Sequence, residues 1–199
     1  MKHQWRMLSS KPVYKGFNSI DLCEIEHSLY EGGDSGPVKR ELIDRGNVAA
    51  VLPYDMRDDS VVLVEQFRIG AINRQSPWLT EVIAGMVEEG ESPEEMAFRE
   101  AKEEAGLSLD TIFPIAHYLS SPGNTAEEVF IYGSVTDLSD AGGFHGVEGE
   151  HEDIRVIKTS ADQAIELFDT GVICNALSVI AMMWFKANLE KLRAGGFSA

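Results

Sequence analysis

The sequence predicts an α/β fold preceded by a strand-rich N-terminal arm. Three observations carry that prediction. Runs of β-branched residues recur between turn signals, the segment 92–106 has the chemistry of a helix marked at both ends, and within the first 46 residues the stretch 20–29 roughly alternates ahead of a strong turn signal. A chain of 199 residues, 44% hydrophobic and 25% charged, is long enough for one good core and argues against disorder.

In the arm, residues 1–46, Ile20, Leu22, Cys23, Ile25 and Leu29 roughly alternate with polar residues before the turn Glu31-Gly32-Gly33-Asp34-Ser35-Gly36-Pro37. Val38, Leu42 and Ile43 continue as a second short strand, giving a hairpin or meander. So thin an arm cannot bury both faces alone and must pack on the body or on another subunit. The body, residues 47–199, opens with Val48-Ala49-Ala50-Val51-Leu52 and Val61-Val62-Leu63-Val64, a hairpin across Asp55-Met56-Arg57-Asp58-Asp59. Residues 78–84 read as another strand. Ser92 as N-cap, Pro93 at the first helical position, Glu95 closing a capping box and Gly106 as the stop define the helix that follows. Strands at Val129-Phe130-Ile131-Tyr132 and Ile154-Arg155-Val156-Ile157 precede two helices over 161–169 and 176–192, parted by Gly171. The Gly- and Asp-rich stretch 139–149 reads as a mobile loop.

The charge is unusual: 17 Lys and Arg stand against 33 Asp and Glu, a net −16 with His neutral. Such a chain has no general attraction for nucleic acid or anionic lipid. A phosphorylated substrate would need local neutralisation, for which a divalent metal is the usual agent. The longest apolar run, 176–185, is about half of the roughly 20 residues that a membrane span requires. Met1-Lys2-His3-Gln4-Trp5-Arg6 lacks the apolar core of a signal peptide, and Cys23 and Cys174 read as two core thiols in a reducing compartment, so a cytoplasmic protein is expected.

The chemistry is concentrated between Gly85 and Leu107. Glu91 follows Gly85, then Arg99-Glu100 and Glu103-Glu104, with Gly106 closing the segment. On a helix Glu100 and Glu104 share a face with Glu103 beside them, and like charges at that spacing are destabilising. Arg99 lies four residues before Glu103 and within reach of a folded-back Glu91, but Arg99 and Lys102 are too few to pair every acid. Mg²⁺ resolves the conflict, since it takes oxygen ligands, often one or two carboxylates, and leaves its other positions to water and phosphate oxygens. The backbone carbonyl of Ala84, at the end of the preceding strand, is a further candidate ligand. An acidic amphipathic helix is most often only a solvated face. The joint spacing argues otherwise: with about 7% usage per residue type, seven fixed positions match by chance roughly once in a million such chains.

These residues resemble the signature of the Nudix hydrolases, which cleave nucleoside diphosphates linked to another moiety. Ala101 fills a position usually held by a larger apolar residue. The resemblance runs from about Tyr14 to Trp184 and is strongest to the family's bacterial ADP-ribose-hydrolysing branch. It implies an α/β/α sandwich with a mixed central sheet, the signature forming loop, helix and loop. It also implies Mg²⁺, or Mn²⁺ in its place, two or more ions per site, and hydrolysis of ADP-ribose to AMP and ribose 5-phosphate. Carried over residue by residue, Glu100, Glu104 and the Ala84 carbonyl are metal ligands, Glu103 a nearby ligand or support, and Glu91 and Arg99 braces between loop and helix. In the second acidic cluster, Glu148, Glu150, Glu152 and Asp153, Glu150 matches the general base and Glu152 a further metal ligand, and the two can exchange roles.

The segment Ser120-Ser121-Pro122-Gly123-Asn124-Thr125-Ala126-Glu127 matches the branch's pocket lining at Ser121, Pro122, Gly123 and Glu127, with Pro122 sixteen residues beyond Gly106. Standing alone, it would be a plain turn. The resemblance also implies an adenine sandwich between Phe17, beside Asn18, and Arg40, with Arg68 close by. Aromatic and guanidinium faces stack well on a purine. Glu41, Arg45 and Met86 match further substrate contacts, although each alone is equally explained by packing or surface charge. The implied assembly is a homodimer with exchanged N-terminal arms, so Phe17 and Arg40 serve the partner's site. Two rival readings are a hydrolase of another nucleotide sugar such as GDP-mannose, which the Pro122 motif opposes, and a non-catalytic ADP-ribose sensor, which the intact acids oppose. Twelve of the 33 acids fall in 88–104 and 148–153, whereas ten of the 17 bases lie at or before Arg74.

Overall fold

A computed structural model describes residues 3–147, 149 and 151–197. The chain divides into two compact units, one of Met1–Asn47 with Leu119–Glu128 and the other of Val48–Tyr118 with Val129–Ala199. The first is an antiparallel meander of β1 (Trp5–Lys15), β2 (Ser19–His27) and β3 (Val38–Asp44), in that order. The alternating residues Ile20, Leu22, Cys23 and Ile25 lie in β2, and Val38, Leu42 and Ile43 lie in β3, the expected second strand. β1 has ten of its eleven residues exposed, so no buried face imposes a period on it. The Leu119–Glu128 segment adds to β3. The Ile43 N–H donates to the Asn124 carbonyl at 2.8 Å, and the Ala126 N–H to the Ile43 carbonyl at 3.0 Å.

The second unit is built on a mixed eight-stranded sheet. Its main path runs β10 (Phe144–His145), β11 (Ile154–Ser160), β5 (Ser60–Phe67), β4 (Val48–Asp55), β9 (Glu128–Val135) and β8 (Phe113–Leu119). β4 and β9 are parallel, while β4 with β5 and β5 with β11 are antiparallel. Side chains alternate across β4. Val48, Ala50, Leu52 and Tyr54 pack on the side of α2 (Ala161–Asp169) and α3 (Ala176–Arg193), and Ala49 and Val51 on the side of α1 (Pro93–Ala105). All eight β4 residues are buried, as expected of a strand covered on both faces. The result is the expected α/β/α sandwich. Both cysteines are free, Cys23 buried and Cys174 half-buried, and no helix among the described residues is long and apolar enough to cross a membrane.

The single strand expected over 78–84 is two. β6 (Trp78–Glu81) pairs with β5, whereas β7 (Ile83–Met86) pairs with β4. Between them the buried Val82 N–H donates to Ser178 Oγ of α3 at 3.0 Å, and this side-chain partner lets the chain change neighbours without orphaning a buried donor. The α1 caps are as the sequence predicts. Ser92 Oγ accepts from the Glu95 N–H, the Glu95 carboxylate accepts from the Ser92 N–H, and Gly106 ends the helix at φ +67°. Met96, Ala97, Ala101 and Ala105 form its buried stripe, and small side chains there let the helix lie close to the sheet. Full burial of Met96 alone is worth about 1.5–3 kcal/mol.

Candidate active site

β7 and α1 bring the signature acids together. Arg99 lies at the centre. Its Nε and Nη2 donate to the two oxygens of Glu91 at 2.8 and 3.1 Å, and Nη2 also donates to the Met86 carbonyl at 3.1 Å. Its Nη1 donates to Glu100 Oε1 at 2.8 Å and to Glu103 Oε2 at 2.9 Å. One guanidinium therefore ties the end of β7 and the following loop to two carboxylates of the helix. Such bidentate, charge-assisted bonding is the strong kind.

Glu104 is the most enclosed acid, at 2% exposure. Gln66 Nε2 donates to its Oε1 at 3.0 Å and the Ala84 N–H to its Oε2 at 3.1 Å. Neither donor is charged. Burial first, and then the charge of Glu100, push the Glu104 carboxyl up to about 8. Glu100 is pushed up to about 7 by burial, with Glu103 and Glu152 adding and Arg99 opposing. Gly85 makes the close approach possible, because a Cβ there would stand 1.9 Å from Glu100 Oε1.

Glu152 Oε2 accepts from the Val147 N–H at 3.4 Å, and its charge reaches Glu100. That segment meets α1 directly. The Gly146 N–H donates to the Glu103 carbonyl at 3.3 Å, and a Cβ on Gly106 would lie 2.7 Å from the His145 ring. Glu150, the expected base, and Glu148 lie outside the described residues. Arg68 follows β5, and its Nε donates to Glu81 Oε2 at 2.8 Å.

The other expected residues belong to the arm unit. Arg40 and Glu41 line an open hollow of about 430 Å³ with Leu22, Lys39, Gly123 and Asn124. The turn that carries Pro122 and Gly123 is closed by the Ser121 carbonyl, which accepts from the Asn124 and Thr125 N–H groups at 3.2 and 3.0 Å. Glu127, 8% exposed, pairs through Oε2 with Arg45 Nε at 2.8 Å. Phe17 is 81% exposed in the turn before β2 and is not part of the hollow. Beside it, Asn18 Oδ1 is buried without a hydrogen-bond partner.

A NUDIX domain model matches residues 44–171, well over half of the chain. The chain belongs to the Nudix family. An ADP-ribose pyrophosphatase of Escherichia coli (strain K12) is 43% identical to it over 193 residues, 96% of this chain and 92% of that protein. A GDP-mannose pyrophosphatase of Enterobacter sp. is 34% identical over 151 residues, 74% of this chain and 78% of that one. A solved ADP compounds hydrolase superposes with a TM-score of 0.71 over 96% of this chain and 97% of its own, at 18% identity, and so shares the fold.

The Nudix signature does not contain every group that shapes the acids. Gln66, which holds Glu104, lies on β5, and Glu81, which holds Arg68, lies on β6. Their one sequence signal is a polar residue inside a buried strand, which cannot name a partner 38 or 13 positions away. The acids suit a hard divalent cation: their donors are all oxygen, Arg99 is shared among three carboxylates, and among the described residues no cationic side chain is bonded to Glu104. Among the described residues no three or more His, Cys, Asp or Glu side chains are arranged as a metal-holding group.

Proposed function

We propose that this Nudix hydrolase cleaves the diphosphate of ADP-ribose with water, giving AMP and ribose 5-phosphate. The observation that carries the reading is the massing of Glu100, Glu103 and Glu104 on α1 against Gly85, with two of the three carboxyls driven far above their ordinary range. Glu100, Glu104, the Ala84 carbonyl and Glu152 would hold Mg²⁺ or Mn²⁺, two or more ions per site. When bound, these ions offset phosphate charge and lower the pKa of coordinated water. Arg99 keeps Glu100 and Glu103 in place. A carboxylate of the 148–153 segment, Glu150 or Glu152, takes the proton of water as its oxygen attacks phosphorus in line. The bond from that phosphorus to the bridging oxygen breaks, and the proton balance leaves two phosphate monoesters.

Recognition is shared between the arm and two residues of the body, Arg68 and Met86. Phe17 and Arg40 take the two faces of adenine, Glu41, Arg45, Met86 and Arg68 add contacts, and Ser121, Pro122, Gly123 and Glu127 line the pocket. The exposed Trp5, Tyr14 and Phe17 support a homodimer with exchanged arms, in which Phe17 and Arg40 act on the partner's substrate. The two free cysteines support a cytoplasmic location.

A panel of ADP-ribose, GDP-mannose and related nucleoside diphosphates, with Mg²⁺ and with product identification, tests the reading. ADP-ribose is expected to have the highest kcat/KM and to give AMP. A better GDP sugar overturns the specificity. Binding of ADP-ribose without turnover of any compound makes the protein a sensor.

A further inference from the structure

Glu81 is an acid at 2% exposure with both oxygens occupied. On one side Asn175 Nδ2 donates to Oε1 at 2.7 Å, and on the other Arg68 Nε donates to Oε2 at 2.8 Å. Asn175 is itself fixed. It is the N-cap of α3, its Oδ1 accepting from the Ser178 N–H at 3.2 Å, and Ser178 Oγ in turn accepts from the Val82 N–H at 3.0 Å. The first turn of α3 thus grips the end of β6 at two successive residues. A buried carboxylate is costly unless paired, and here the pair is made with one edge of a guanidinium. Among the described residues neither Nη group of Arg68 has a partner, and the side chain remains 40% exposed. An arginine held at Nε presents its two Nη groups outward in a fixed plane, which is the geometry that grips phosphate oxygens. Its charge also reaches Glu104, one of the carboxylates that would hold the ions.

We propose that Glu81, braced by Asn175, is a positioning residue that aims the free edge of Arg68 at the substrate's diphosphate. The inference rests on the hydrolase reading above and adds to it a device outside the signature. Glu81 touches neither substrate nor ion; it acts through Arg68.

Two measurements test it: turnover of ADP-ribose, and the Arg68 Nε–H resonance in ¹H–¹⁵N spectra, assigned by its loss in Arg68→Lys. In the unmodified protein that resonance should be sharp, and inorganic pyrophosphate should shift it. Glu81→Gln keeps the shape but weakens the grip. It should broaden the resonance and raise KM about tenfold while changing kcat less than about threefold. Asn175→Ser keeps a good N-cap and loses the reach to Glu81, so KM should rise about threefold. In the double variant Arg68→Lys/Glu81→Gln, KM should be no higher than in Arg68→Lys alone. An unchanged resonance or KM in Glu81→Gln overturns the proposal, as do effects that multiply in the double variant. If the unmodified protein turns over no ADP-ribose, the hydrolase reading fails by itself. The pyrophosphate response of Arg68 then decides the relay: loss of that response in Glu81→Gln supports it, and an equal response in both proteins overturns it.

Discussion

The acid site on α1 and the hollow of the arm are built by opposite means. On α1 the functional groups are packed from below: Glu104 is 2% exposed, Glu100 stands against a glycine, and one arginine ties loop to helix. In the arm Phe17 is 81% exposed and β1 has both faces open. A core can hold like charges in a costly arrangement because it supplies the stability that the arrangement consumes. A three-stranded meander cannot, and what it offers instead is open aromatic and guanidinium surface. The division predicts that changes on α1 act on the rate of the chemical step, whereas changes in the arm act on affinity.

The largest effect belongs to Glu104→Gln. The amide keeps the volume, and its oxygen accepts one of the two hydrogen bonds now made by Gln66 and Ala84, so the protein stays folded. With the charge gone, kcat for ADP-ribose should fall by about a thousandfold or more, with an unchanged circular dichroism spectrum. A folded variant with near-normal kcat would remove Glu104 from the metal site and break the comparison at its stronger side.

Phe17→Ala is the matching test in the arm. Losing one face of an adenine stack should raise KM about tenfold and leave kcat within about threefold. An unchanged KM takes Phe17 out of recognition. A collapse of kcat would mean that the arm takes part in chemistry, and the division would fail.

How much of each region was legible follows the same line. The α1 site could be read because its logic is local: the caps, Arg99 four residues before Glu103, and Glu100 four before Glu104 are fixed by helical geometry. Gln66, Glu81 and Asn175 could not, since their partners meet them only through the fold. β2 was legible from Ile20, Leu22 and Ile25, whose half-buried pattern leaves an imprint, but β1, with Lys11, Pro12 and Lys15 in a run exposed on both faces, leaves none. β8 is hidden for a related reason, as Pro114 and His117 interrupt the apolar residues of a partly exposed strand. The break at Val82 depended on Ser178, 96 residues away.

The smallest effect tests whether the body's framework can be weakened without touching its chemistry. β7 pairs with Val48–Val51 of β4, so Asp55 sits at the far end of that strand from Ala84 and Gly85. The carboxylate is 3% exposed. It accepts from Arg57 Nε and the Arg57 N–H, both at 2.9 Å, and from the Leu138 N–H at 3.0 Å. Arg57 first, with the two N–H groups assisting against burial, holds it well below the usual carboxylate range. A depressed carboxyl stabilises the fold fully above the unfolded value of about 4, and that contribution fades as pH falls below it. Asp55→Asn should therefore cost about 1–2 kcal/mol at neutral pH, discounted for the exposed guanidinium, and lower Tm by roughly 3–6 °C. The gap in Tm between the two proteins should hold steady from neutral pH down to about pH 5 and narrow as pH falls below about 4, while kcat and KM at neutral pH stay within about twofold. A gap that ignores pH would assign the loss to packing, and a fall in kcat would show that the far end of β4 bears on the acids after all.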